Sequence, residues 1–238
     1  MTEHLPTGSL PWHHVHLTHE DRDRSAHWYV DHLGASDGGA TKRSVSLRYG
    51  SNIIQIQSRA VATQGSASLD RIGLGCPDID ATVASAVSDG AKLLWGSDNV
   101  LLEDPDGTRI ELIEAAEPTF SHVQISTSDP ESMQRWYAEM LGGTAGPCPW
   151  DESRLVVAFD TMRMSFTPEP VETKEARPID HIGFFTSELD ATSARLEEAG
   201  APFPIPPRPF NTVRIAFFED PGGIWVELVE LPGGRIPK

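Results

Sequence analysis

Cysteine is scarce in this chain. Only Cys76 and Cys148 occur among 238 residues, and neither has a metal-binding or redox spacing. A disulfide framework is thereby excluded, and a reducing cytoplasm is the expected compartment. Positive charge is scarce too: 19 Lys and Arg stand against 35 Asp and Glu, a formal net charge of −16. Nucleic acid and anionic membrane surfaces recruit basic patches, so neither is an expected partner. No run approaches the ~18–20 consecutive apolar residues of a membrane span. The opening MTEHLPTGSLPW lacks the basic and apolar blocks of a secretory leader. Apolar residues are not scarce: at 39% they suffice for a sizeable core.

The chain repeats itself four times. Trp12-His13-His14-Val15-His16-Leu17, Leu69-Asp70-Arg71-Ile72-Gly73-Leu74, Phe120-Ser121-His122-Val123-Gln124-Ile125 and Ile179-Asp180-His181-Ile182-Gly183-Phe184 share one alternation. That period predicts a half-buried strand. Val15/Leu17, Ile72/Leu74, Val123/Ile125 and Ile182/Phe184 form its apolar face, and His14, Arg71, His122 and His181 mark the other. A helix is predicted after each strand. Asp129-Pro130-Glu131 places a capping acid, a first-turn proline and an acid at the dipole's positive end. Trp28-Tyr29 with Leu33-Gly34 recurs as Trp136-Tyr137 with Leu141-Gly142. Gly90 and Gly200 are the expected stops in the other two copies. Hairpins follow at Asp104-Pro105-Asp106-Gly107 and Asp220-Pro221-Gly222-Gly223, where Asp-Pro-x-Gly is turn chemistry. Beyond them Ile110/Leu112 and Val226/Leu228 alternate with Glu111 and Glu227, which turns both acids away from the apolar face. The unit is α+β. Residues 115–119 read as a short link between two pairs of repeats, giving expected domains at 1–116 and 117–238.

This organisation resembles the vicinal oxygen chelate superfamily, which includes glyoxalase I, bleomycin-resistance proteins and extradiol dioxygenases. The Asp-Pro-x-Gly hairpins ending in Glu and the Trp-Tyr…Leu-Gly helices carry the resemblance. It implies two tandem domains, each a pair of βαβββ modules forming a U-shaped, partly open barrel sheet. It also implies a divalent metal held from the first and last strands of paired modules. In the second domain those positions are His122, His181 and Glu227, with Ser165 at the fourth corner. Two His and one carboxylate with open positions suit Fe(II) or Mn(II), with Zn, Ni or Co also accommodated. The first domain offers His14, Gln55 and Glu111 with Arg71, whose permanent charge repels a cation and is expected to pair with Glu111. His14 and His16 then read as polar cavity lining.

Other residues fall around the expected site. Arg163 should share the cavity face of Ser165, either binding a substrate oxyanion or bridging to a rim acid. Gln124 and Ser126 should line the wall beside His122. Trp225 shares the face of Glu227, and Phe217 lies nearby; each is expected to touch substrate or to fill the sheet. Pro202 to Pro209 form a stiff, extended stretch. The resemblance implies a metal-dependent isomerase, epimerase or lyase acting on a small substrate with adjacent oxygens, with Glu227 and Arg163 as catalytic candidates. One alternative is an Fe(II)-dependent extradiol dioxygenase. However, Phe210 and Phe217 stand where those enzymes place a His and a Tyr, and phenylalanine transfers no proton. A ligand-sequestering protein like the bleomycin-resistance proteins is the other alternative. Dimerisation is left open.

Overall fold

Each repeat folds as strand, helix and three further strands in the computed structural model, which describes residues 9–58, 68–95, 100–168 and 178–236. The first module is β1 (Trp12–His19), α1 (Arg22–Leu33), β2 (Ser36–Ala40), β3 (Ser44–Tyr49) and β4 (Asn52–Ser58). The second is β5 (Leu69–Cys76), α2 (Ile79–Ser88), β6 (Lys92–Trp95), β7 (Val100–Glu103) and β8 (Arg109–Glu114). The third is β9 (Thr119–Ser126), α3 (Pro130–Leu141), β10 (Thr144–Pro147), β11 (Leu155–Ala158) and β12 (Arg163–Thr167). The fourth is β13 (Ile179–Phe185), α4 (Leu189–Glu198), β14 (Ile205–Phe210), β15 (Val213–Glu219) and β16 (Trp225–Glu230).

Local chemistry sets the boundaries. Asp129 accepts from the Ser132 amide at 3.0 Å, and Pro130 opens α3. Gly34 and Gly142 close α1 and α3 at φ 72° and 77°, a backbone region that glycine enters without strain. Both Asp-Pro turns are tied by their aspartate. Asp104 Oδ1 accepts from the amides of Asp106 and Thr108, and Asp220 Oδ1 from those of Gly222 and Ile224. The proline-rich stretch supplies β14, an edge strand, where missing N–H groups do least harm. Among the described residues no helix is long and apolar enough to cross a membrane.

The strands form two open eight-stranded mixed sheets, each with one antiparallel pair at its centre. Sheet A runs β14-β15-β16-β13-β1-β4-β3-β2, and sheet B runs β10-β11-β12-β9-β5-β8-β7-β6. The architecture is the expected α+β arrangement of two module pairs. The pairing itself departs from the expected split. Sheet A joins the first and fourth modules, and sheet B joins the second and third, so each sheet takes one module from either side of residue 116. Within each half the modules meet through helix and turn instead: Tyr29 donates to Asp104 at 2.9 Å, and Tyr137 donates to Asp220 at 2.7 Å.

Both faces of the central strands are interior. Val15, Leu17, Ile72, Leu74, Val123, Ile125, Ile182 and Phe184 are all at most 1% exposed. They join one apolar cluster that reaches Tyr29, Tyr137, Leu189 and Leu196 on the helices and spans both sheets, with Trp12 of β1 stacked on Phe120 of β9. On the opposite face His14, Arg71, His122 and His181 are also buried. A sheet with an apolar interior on one side and a polar interior on the other has the polar side free for chemistry.

Candidate metal centre

One register frame generates two sites. In each module the last strand runs parallel to the first, and it places a residue beside the position two beyond the marker. Gln55 stands opposite His16, Glu111 opposite Gly73, Ser165 opposite Gln124, and Glu227 opposite Gly183. The antiparallel centres then bring module to module: His14 pairs with Gly183 and His16 with His181 in sheet A, while Gly73 pairs with His122 and Arg71 with Gln124 in sheet B. Glycine is required at two of these places. A Cβ on Gly183 would run into the His14 ring, and one on Gly73 into the His122 ring.

In sheet A this frame collects His14, His181 and Glu227. His14 Nε2 lies 3.2 Å from His181 Nε2, and each lies 3.4 Å from Glu227 Oε2. Donors on one face of an octahedral or tetrahedral ion are roughly 2.8–3.6 Å apart when metal–ligand distances are about 2.0–2.2 Å. The three atoms therefore fit a single divalent ion, with Gln55 placed by register at the fourth corner.

The surroundings orient the rings. His181 Nδ1 lies 2.9 Å from Asp180 Oδ2, leaving Nε2 to face the centre. This carboxylate–histidine contact is a recurrent support of metal-binding imidazoles. His14 Nδ1 lies 3.0 Å from His13 Nδ1. Burial, then the neighbouring His13, His181 and His16 rings, hold His14 well below the usual imidazole range. Burial also pushes His13 down to about 4. At His181 burial opposes charge, but the Asp180 and Glu227 carboxylates override it and lift the ring to about 9. The two carboxylates thus favour positive charge on His181, while burial disfavours it on His14 and His13. Phe217 meets the His181 ring edge-on at 5.0 Å, and Trp225 lies 5.7 Å from Phe217. Glu227 is the most open of these three residues, its side chain 13% exposed.

The expected grouping of His122 with His181 and Glu227 is not what the structure brings together. His122 lies in sheet B, fully buried, with its Nε2 3.5 Å from Glu111 Oε2 and its ring against Trp150. Gln124, Ser126 and Ser165 are buried in the same sheet. Gln124 donates to Thr167 at 3.0 Å, and Ser165 Oγ has no hydrogen-bond partner among the described residues. Arg163 is exposed, its guanidinium 5.9 Å from the Trp150 ring centre, and thus stands at the rim of sheet B and not beside Glu227. Arg71 does approach Glu111, at 3.9 Å, but its nearer partner is Asp70 at 2.7 Å. Glu111 is instead taken by Arg154, a loop residue with no signal in the repeat pattern, at 2.7 and 3.0 Å. Of the expected set, Phe217, Trp225, His181 and Glu227 remain together. The residue that completes the cluster is His14, from the other end of the chain.

Residues 119–228 match the family described as the Glyoxalase/Bleomycin resistance protein/Dioxygenase superfamily. The uncharacterized protein YaeR of Escherichia coli (strain K12) is 28% identical over 120 residues, spanning 46% of this chain and 93% of its own length. Glyoxalase I from Zea mays superposes with a TM-score of 0.73 at 18% identity, over 93% of this chain and 92% of that one. At that identity the likeness speaks for the fold.

Proposed function

We infer that this chain, which carries a domain of the glyoxalase/bleomycin resistance protein/dioxygenase superfamily, is a divalent-metal-dependent enzyme that enolises a small substrate with two adjacent oxygens. The reaction class is that of an isomerase, epimerase or lyase. One observation carries the reading: three donors of the right chemistry converge within 3.2–3.4 Å at the buried centre of sheet A. His14, His181 and Glu227 would hold the ion, with Gln55 as the fourth corner. Two imidazoles, a carboxylate and an amide oxygen, with no thiolate, suit Fe(II) or Mn(II), and Zn, Co or Ni compete for the same donors. A bound ion supplies Lewis acidity to vicinal substrate oxygens as negative charge develops on them.

The protein's own groups do the rest. Asp180 and His13 fix the two rings so that both Nε2 atoms face one point. Phe217 and Trp225 give the open side an apolar wall that excludes water and accepts a flat substrate face. Glu227, the carboxylate at the centre and its most open ligand, is assigned the α-proton. Phe217 weighs against ring-cleaving oxygenation, because it offers no proton beside the centre.

The test is direct. Protein purified without chelators is expected to carry one divalent ion per chain. In D₂O it should wash deuterium into the α-position of members of an α-hydroxycarbonyl panel. Glu227→Gln should lose both properties. Metal-free wild type that cannot be loaded, or full ion retention in Glu227→Gln, would sink the proposal, and the first outcome would point to ligand sequestration.

A further inference from the structure

Sheet B repeats the frame of sheet A with a different occupant. His122 Nε2 lies 3.5 Å from Glu111 Oε2, almost the 3.4 Å between His181 and Glu227. Residues 148–154, between β10 and β11, deliver Arg154 to this pair. Its Nη1 donates to both oxygens of Glu111, at 3.0 and 2.7 Å, and to Gln124 Oε1 at 3.3 Å. The side chain is buried and anchored, with Nε 2.7 Å from Asp151 and backbone bonds to Cys148 and Asp151. A fixed positive charge thus touches the carboxylate beside the imidazole, where a cation would sit in sheet A.

Arg71 and Arg109 both lean on Asp70, at 2.7 and 3.1 Å, so Asp70 and not Glu111 is the nearer partner of Arg71. With Arg154 removed, Glu111, 0% exposed, would keep only His122 at 3.5 Å and Arg71 at 3.9 Å as cationic neighbours among the described residues. A buried carboxylate left that poorly compensated takes up a proton or another cation.

We propose that Arg154 is a built-in cation closing a second metal site, whose donors are His122, Glu111 and Gln124, and that removal of its guanidinium admits a divalent ion. Imidazole, carboxylate and amide oxygen suit the same borderline metals as sheet A. The inference concerns sheet B and stands whether or not sheet A holds an ion.

Co²⁺ titration by equilibrium dialysis and visible absorption tests it, in a His181→Ala background, which removes the residue shared by both donor clusters of sheet A, His14/His181/Glu227 and His16/Asp180/His181. His181→Ala alone is expected to bind no ion. Adding Arg154→Met should give one ion per chain, and adding His122→Ala should return the count to none. Arg154→Lys keeps the positive charge and should bind none. A folded Arg154→Met protein that takes up no Co²⁺ overturns the proposal, and so does uptake by the protein with Arg154 intact that His122→Ala removes. If the Arg154→Met protein does not fold, added Co²⁺ should restore its helical circular dichroism, and failure to do so overturns the proposal equally. Titration with His181 intact reports on sheet A separately.

Discussion

Sheets A and B use one backbone frame for opposite ends. In sheet A the corner positions hold His14, Gln55, His181 and Glu227; in sheet B they hold Arg71, Glu111, His122 and Ser165. Strand order, central antiparallel pair and glycine gap are the same in both. What differs is the cation: sheet B has Arg154 of this chain, and sheet A has the donors of the ion we propose. The fold fixes where four side chains meet, and a few residue identities decide whether the meeting point is a site or a plug.

The largest expected effect separates the two centres by stability. Arg154→Ala strips the buried Glu111 of its nearest cation, and removing one partner of a buried pair costs about 3–5 kcal/mol. Glu227→Ala, in the more open centre, should cost much less in a urea melt while abolishing ion binding. Equal losses would break the comparison. Acid tests the same Glu111 pair without mutation. Burial opposes its charge, yet His122 and Arg154 hold its carboxyl down at about 2 from an ordinary 4.5. A depressed carboxyl contributes stability above its unfolded value and loses it as pH falls toward the folded one. Urea midpoints of the wild type should therefore drop between pH 4.5 and 2 more steeply than those of Glu111→Gln.

Next come the two glycines. Gly183→Ala and Gly73→Ala each force an imidazole aside, at about 1–3 kcal/mol for overpacking. Only Gly183→Ala should weaken ion binding, since only His14 is a proposed ligand; dialysis of the pair checks this. The smallest effects concern the contacts within each half. Tyr29→Phe and Tyr137→Phe remove equivalent hydrogen bonds to Asp104 and Asp220. They should lower stability alike, by about 1–2 kcal/mol. A large difference between them in thermal melts would mean that the halves are not built alike.

Much of this was legible from residues alone. The alternation around His14, Arg71, His122 and His181 located all four central strands. Asp129-Pro130, Gly34 and Gly142 marked helix ends, and the Asp-Pro turns placed Glu111 and Glu227. Module pairing was not legible from periodicity, which is local, whereas pairing depends on where the connections can reach. The connections did carry a signal. Ten residues separate β4 from β5 and eleven separate β12 from β13, but only four, 115–118, separate β8 from β9. Four residues reach about 14 Å at most. That is enough to step over one strand in a sheet whose neighbours lie about 4.8 Å apart. The link does this across β5, where a Cβ on Gly75 would meet Thr119 and Ala115 at 2.6 and 2.7 Å. The short link thus binds the second and third modules into one sheet, and the first and fourth are left to each other. Arg154 had no such signal, since it lies on a loop outside the repeat.

The proposed ion belongs to donors from both ends of the chain. Metal analysis of His14→Ala beside His122→Ala, both purified without chelators, tests it most directly. His14→Ala should come out without the ion, and His122→Ala should keep one ion per chain. The reverse result, with the ion lost on replacing His122 and retained without His14, would contradict it.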